Sequence, residues 1–159
     1  MTSMGKELAV GGILVPLGGA YDTSQDDEIV RLACMLGRQM RARLCFLHVI
    51  EVPRTLPVDA ELPAQTHRGD EILLRAEQEA QRLGVTAETA LAQAREVGPA
   101  IVNEAVDRDS ELIVIAIDPE RQSSGFHIGQ IASYVVEHAP CAVIARRQAF
   151  GDAADESSR

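Results

Sequence analysis

Leu112-Ile113-Val114-Ile115-Ala116-Ile117 is an apolar run with no polar residue in it. A strand half open to water alternates apolar and polar side chains. A run apolar on both faces must be covered on both, as in a parallel sheet. Three further runs read the same way: Ile13-Leu14-Val15, Leu44-Cys45-Phe46-Leu47-His48-Val49-Ile50 and Ala142-Val143-Ile144-Ala145. An Ala-rich stretch at residues 86–93 is a weaker candidate for a fifth strand.

The segments between these runs carry helical periodicity. Ile29, Leu32, Ala33, Leu36 and Met40 recur along one stripe of residues 25–40, with Asp22, Thr23 and Ser24 as capping candidates and Asp26, Asp27 and Glu28 in the first turn. Leu73, Ala76, Ala80 and Leu83 form a second stripe over residues 67–83, ended by Gly84. Pro99 suits the first turn of a helix to residue 108, with Ile101, Val102, Ala105 and Val106 expected inward. Ile128, Ile131, Ala132, Val135 and Val136 repeat before Pro140. Strand and helix thus alternate through the chain, the pattern of a doubly wound α/β sheet with helices on both faces. Two irregular stretches interrupt it. Residues 51–65 hold three prolines and are expected to be a mobile loop beside the ligand crevice, and residues 118–127 form a second loop.

The chain has 159 residues, 46% hydrophobic and 25% charged, which suits one globular domain. Its net charge of −9 repels nucleic-acid backbones and anionic membranes, so neither is expected as a partner. Cys34, Cys45 and Cys141 are widely spaced and read as three reduced core thiols. The start shows no signal peptide, and no apolar run approaches the ~20 residues of a membrane span. These features predict a cytoplasmic protein without direct membrane insertion.

Open parallel sheets bind ligands beyond the carboxyl ends of their strands, where strand order reverses. Pro16-Leu17-Gly18 follows the first strand, and Gly129 opens the last helix, where amides and the helix dipole favour an anion. The same glycines also read as an ordinary tight turn and a helix entry. His48 reads as a core or strand-end histidine, and His138 as a partner for the last carbonyls of its helix. Asp118 and Glu120 flank Pro119 and could hold magnesium or be solvated loop charges. No histidine pair has metal-ligand spacing, and no catalytic triad is readable, so neither a metal nor an enzymatic activity is expected.

Several stretches resemble the universal stress protein family. Ile13-Leu14-Val15-Pro16 resembles its first strand, Phe46-Leu47-His48-Val49-Ile50-Glu51 its second and Leu112-Ile113-Val114-Ile115 its fourth. His138-Ala139-Pro140-Cys141-Ala142-Val143 resembles its junction into the last strand most closely. The resemblance covers residues 12–147, leaving 1–11 and 148–159 as flexible ends. It implies a Rossmann-like, five-stranded parallel sheet in the order 3-2-1-4-5. It also implies a homodimer through the last strand, from Cys141 to Arg146. Many members bind ATP with an aspartate after the first strand and a Gly-x2-Gly-x9-Gly-Ser/Thr pattern. Carried over from the His-Ala-Pro-Cys junction, these positions fall on Gly18, Ala116, Pro119, Gly129 and Gln130, and only Gly129 matches. The implied pocket, degenerate for nucleotide or anion, comprises Pro16, Leu17, Gly18, Val49, Ala116, Ser123, Ser124, Gly129, Gln130 and Ile131. Restoring Asp at 18, Gly at 116 and 119 and Ser at 130 is expected to restore ATP binding.

The expectation is therefore a regulatory or binding module acting through dimerisation and partner contacts, with no cofactor and at most weak adenine nucleotide binding. The alternatives are an ATP switch with slow hydrolysis and a signalling domain for AMP or cyclic di-AMP. Residues 48–57 also resemble stress-protein domains attached to amino-acid and cation transporters, which makes a transporter a candidate partner.

Overall fold

A computed structural model describes residues 11–18, 23–117 and 129–147. Nine elements follow in strict alternation: β1 (Ile13–Leu17), α1 (Thr23–Met40), β2 (Leu44–Glu51), α2 (Pro63–Arg82), β3 (Ala87–Ala94), α3 (Val97–Asp107), β4 (Leu112–Ile117), α4 (Gln130–His138) and β5 (Ala142–Arg147). The strands form one parallel sheet in the order β3-β2-β1-β4-β5. The apolar runs become strands because both sheet faces are covered. On one face Ile13, Val15 and Phe46 pack against Ile29, Ala33, Leu73 and Ala80 of α1 and α2. On the other, Leu14, Leu47, Ile113 and Ile115 pack against Ile101 and Ala105 of α3 and Val135 of α4. The Ala-rich segment is indeed a strand, lying at one edge of the sheet.

Several expectations need correction. Helix α2 starts at Pro63, so residues 63–65 are helix rather than loop. Proline is at home there because the first helical amides have no intrahelical partner. The remaining connection runs along the end of β3 and is tied to it. The Val52 amide donates to the Ala94 carbonyl, Gln93 Nε2 donates to the carbonyls of Val58 and Ala60, and Arg95 donates to that of Pro53. These bonds hold it at the far edge from the β1–β4 boundary, as a strap over β3 and not a loose lid. Gly84 ends α2 as expected, at φ +74, with the Val85 amide returning to the Ala80 carbonyl. Val106, expected inward, is exposed, as are Ile131 and Val136 of the α4 repeat, while Ile101, Ala105 and partly buried Val102 of α3 and Val135 of α4 pack against the sheet. Cys34 and Cys45 are buried, whereas Cys141, at the start of the edge strand, is only partly covered. Burial raises all three thiols, Cys45 to about 11, which makes Cys45 inert near neutrality. The ends read as flexible lie outside the described residues apart from Gly11.

Candidate site at the strand-order switch

Strand order reverses between β1 and β4, and there the ladder stops early. Only Ile13↔Leu112 and Leu14↔Ile113 are in register, although both strands run on. Pro16 supplies the reason. The Ile13 amide donates to the Arg43 carbonyl on the β2 side, so odd residues of β1 bond toward β2 and even ones toward β4. Pro16 therefore faces β4 without an N–H, and the ladder cannot continue past it. The β1–β4 ladder therefore ends at Leu14↔Ile113, at the switch point where the topology calls for a crevice.

The end of that crevice formed by β1 is closed from within. Leu17 is buried and Gly18 turns the chain at φ +98, a left-handed conformation that favours glycine. The Leu17 carbonyl receives Nδ1 of His48 at 3.0 Å. The Gly18 amide donates to Asp26 Oδ1 at 3.3 Å. Burial pushes the Asp26 carboxyl up, and the Gly18 amide and then the His48 charge pull it back. His48 is 9% exposed and lies beside Leu17 in the register. It is thus the satisfied histidine that the sequence suggests, but its position had no signal in sequence. A Cβ on residue 18 would lie 2.1 Å from His48 Nδ1 and 2.4 Å from Cε1. The expected repair with aspartate at 18 therefore does not fit this turn.

The other candidates divide between the two faces. Val49 is partly buried against the α3/α4 cluster, and Ala116 packs against the α1/α2 cluster. The Ala116 methyl therefore sits on the α1 face of β4. Beside it in register stands Arg146 of β5, whose Nη2 makes a charge contact of 2.6 Å with Glu28 on α1. Sequence reasoning missed this pair and the role of Asp26, because both depend on contacts between distant elements. Gly129 (φ −50, ψ 162) is the N-cap of α4, with no side-chain cap, and Gln130 and exposed Ile131 follow. Ser123, Ser124 and Pro119 lie outside the described residues, as do Asp118 and Glu120. Among the described residues no three His, Cys, Asp or Glu side chains come together as a metal site. A shallow hollow between α1 and α2 touches Asp26, Asp27, Ile72 and Arg75, away from Gly129. His138 Nδ1 donates to the Tyr134 carbonyl at 3.0 Å and its ring stacks on that of Tyr134, so it caps its helix as expected. No helix among the described residues is long and apolar enough to cross a membrane.

Comparison with known proteins adds the following. The sequence model of the Universal stress protein family matches residues 12–147. No curated protein matches the chain by sequence. Among solved structures, the universal stress protein from Archaeoglobus fulgidus superposes with a TM-score of 0.70 at 22% identity, covering 84% of this chain and 96% of that one. The same protein in complex with dAMP gives 0.68 at 21% identity, covering 84% and 95%. A universal stress protein family protein from Arabidopsis thaliana with AMP bound gives 0.61 at 15% identity, covering 90% and 94%.

Proposed function

Because this chain belongs to the universal stress protein family, we propose that it is a non-catalytic regulatory or binding module that does not hold ATP in the family's usual way. The observation that carries this is the turn after β1. Residue 18 has no carboxylate to read an adenine amine, and the two backbone groups a base could use there are already bonded to His48 and Asp26. The changes at Pro119 and Gln130 act in the same direction at the phosphate end, since one removes an amide donor and the other a compact hydroxyl. Each lost contact to an anion costs about 1–3 kcal/mol, so together they weaken binding by orders of magnitude.

The module acts as a homodimer through Cys141 to Arg146 in this reading. Ala142, Ile144 and Ala145 of β5 are exposed at the sheet edge, and an apolar edge strand favours pairing. The buried thiols Cys34 and Cys45 suit a reducing cytoplasm. A second reading, a site for AMP or another adenine monophosphate, draws on Gly129 at the head of α4 and on the dAMP and AMP complexes of the relatives. Calorimetry on nucleotide-free protein against ATP, AMP and cyclic di-AMP decides between them. We expect no ATP binding below about 100 μM, a free energy near 5.5 kcal/mol. ATP copurifying with the protein, or a low-micromolar Kd, overturns the first reading. Low-micromolar AMP or cyclic di-AMP binding establishes the second.

A further inference from the structure

We propose that Arg38, Arg41 and Arg43 form a docking surface for a short acidic segment of a partner protein, at the end of the sheet opposite the strand-order switch. The inference rests on the reading above for the partner role, whose chemistry it names, and is independent of the nucleotide site. Three helices close at this end by the same device. The Ala42 amide returns to the Gly37 carbonyl, that of Val85 to Ala80 and that of Ser110 to Ala105, each after one residue in the left-handed region. On α2 that residue is Gly84, the usual occupant. On α3 it is Asp109, at φ 51, a residue type that tolerates the conformation. On α1 it is Arg41, at φ 53, whose Cβ makes the conformation costly. An arginine held there against the backbone's preference marks a side chain with a use beyond the fold.

The neighbours of Arg41 make that use electrostatic. Arg38, Arg41 and Arg43 are all exposed, in a chain whose net charge is −9. Among the described residues Arg41 and Arg43 have no ion-pair partner. Arg38 Nη1 lies 3.4 Å from the Leu83 carbonyl at the end of α2, one long bond that steadies the guanidinium and leaves its other N–H groups for a ligand. The same end carries the opposite charge, set apart from the first. The Arg43 carbonyl accepts from Ile13, and the Glu111 amide donates to the Gly12 carbonyl. Arg43 and Glu111 thus flank β1, about 10 Å apart at two strand spacings. Asp107 and Asp109 are exposed on the Glu111 side. An extended polyanion, such as a nucleic-acid duplex or a lipid surface, meets both halves and is repelled by one of them. A short acidic peptide fits the basic half alone, its carboxylates paired with the guanidinium forks.

Titration of the full chain with a labelled alternating Asp/Glu hexapeptide, at about 50 mM salt so that screening is weak, tests the surface. Arg41→Gln/Arg43→Gln should weaken binding at least about tenfold. Arg54→Gln/Arg68→Gln removes the same charge from exposed sites elsewhere and should change binding less than about twofold. Equal losses in the two double variants overturn the site. So does a natural chain that binds the Asp/Glu peptide no better than its Asn/Gln counterpart. Arg41→Gly should raise Tm by about 1–3 °C, because glycine suits the left-handed position, while weakening the peptide about threefold. A Tm that fails to rise overturns the claim that Arg41 is held against the backbone's preference. Phosphatidylserine vesicles bound by the natural chain and released by Arg41→Gln/Arg43→Gln would overturn the acidic segment in favour of a membrane. Tight ATP binding by the natural chain would instead defeat the proposed function while leaving the peptide titration to decide this surface.

Discussion

The two helical layers differ in how completely the chain covers its own apolar surface. On the α1/α2 face the helices have 18 and 20 residues, and two ion pairs join them, Asp27 with Arg75 and Arg31 with Glu79, while Arg82 braces Glu79 from within α2. Phe46 is completely buried beneath them. On the α3/α4 face the helices have 11 and 9 residues, and Val106, Ile131 and Val136 remain exposed. Ile144 of the β5 edge is exposed too, on the α1/α2 side of the sheet beside its register partner Val114. Met35 and Leu74 are exposed on α1 and α2, one on each helix. A layer that buries its own core can hold a closely fitted polar group such as the His48 ring, bonded to the Leu17 carbonyl. The open β5 edge, with Ile144 on one side of the sheet and Ile131 and Val136 of α4 on the other, is where another chain adds most, because exposed apolar area gains by burial.

Truncating the two cores separates the layers most strongly. Phe46→Ala should cost about 3–5 kcal/mol and Ile101→Ala about 2–3 kcal/mol, read from denaturant unfolding. If the α3 site proves the more costly of the two, the ranking of the layers is reversed. The edge comes next. Ile144→Lys places a charge in the proposed dimer strand, where it should weaken association at least a hundredfold in sedimentation while changing monomer stability by less than about 1 kcal/mol. A dimer that survives this change is not joined at β5.

Two glycines give a finer comparison. Gly69→Ala presses on the seated His48 ring and on Leu91, and should cost about 1–3 kcal/mol. Gly98→Ala meets Tyr134 at 3.0–3.1 Å across the α3–α4 contact, a compression that a half-open layer can relieve by a small shift. Alanine also favours the helix by up to about 1 kcal/mol, so the net change should be near zero. A larger loss at 98 than at 69 would mean that the α3/α4 layer is the stiffer one.

The smallest effect is electrostatic. Hydrogen bonds from Arg82 and Arg31 hold the Glu79 carboxyl down at about 2, from an ordinary 4.5. A depressed carboxyl stabilises the fold above its unfolded value, and that contribution is lost as pH falls from 4.5 toward 2. Glu79→Gln should remove this part of the acid sensitivity, giving a shallower fall of Tm between pH 5 and about 2. The ions are partly exposed, so the difference should shrink in salt. Identical Tm profiles for the two proteins would show that the network contributes nothing.

What could be read before folding was whatever depends on local pattern. The unbroken apolar runs at 13–15, 44–50 and 112–117 require cover on both faces, and their alternation with amphipathic stripes leads to a parallel α/β sheet. Gly84 announced the end of α2 because a left-handed residue there needs no tertiary partner. The junction from His138 to Val143 carried the family resemblance, and the fifth strand was visible though weak. The seat of His48 was not legible, since a histidine in an apolar strand looks the same whether it faces a carbonyl, a ligand or water. Nor was the strap over β3, whose prolines suggested a free loop. Gln93 and Arg95, more than thirty residues further on, tie it down. Tertiary structure alone decided which backbone groups at the switch point are already bonded, because hydrogen-bond satisfaction depends on residues that meet only when β1, β2, α1 and α2 are packed together.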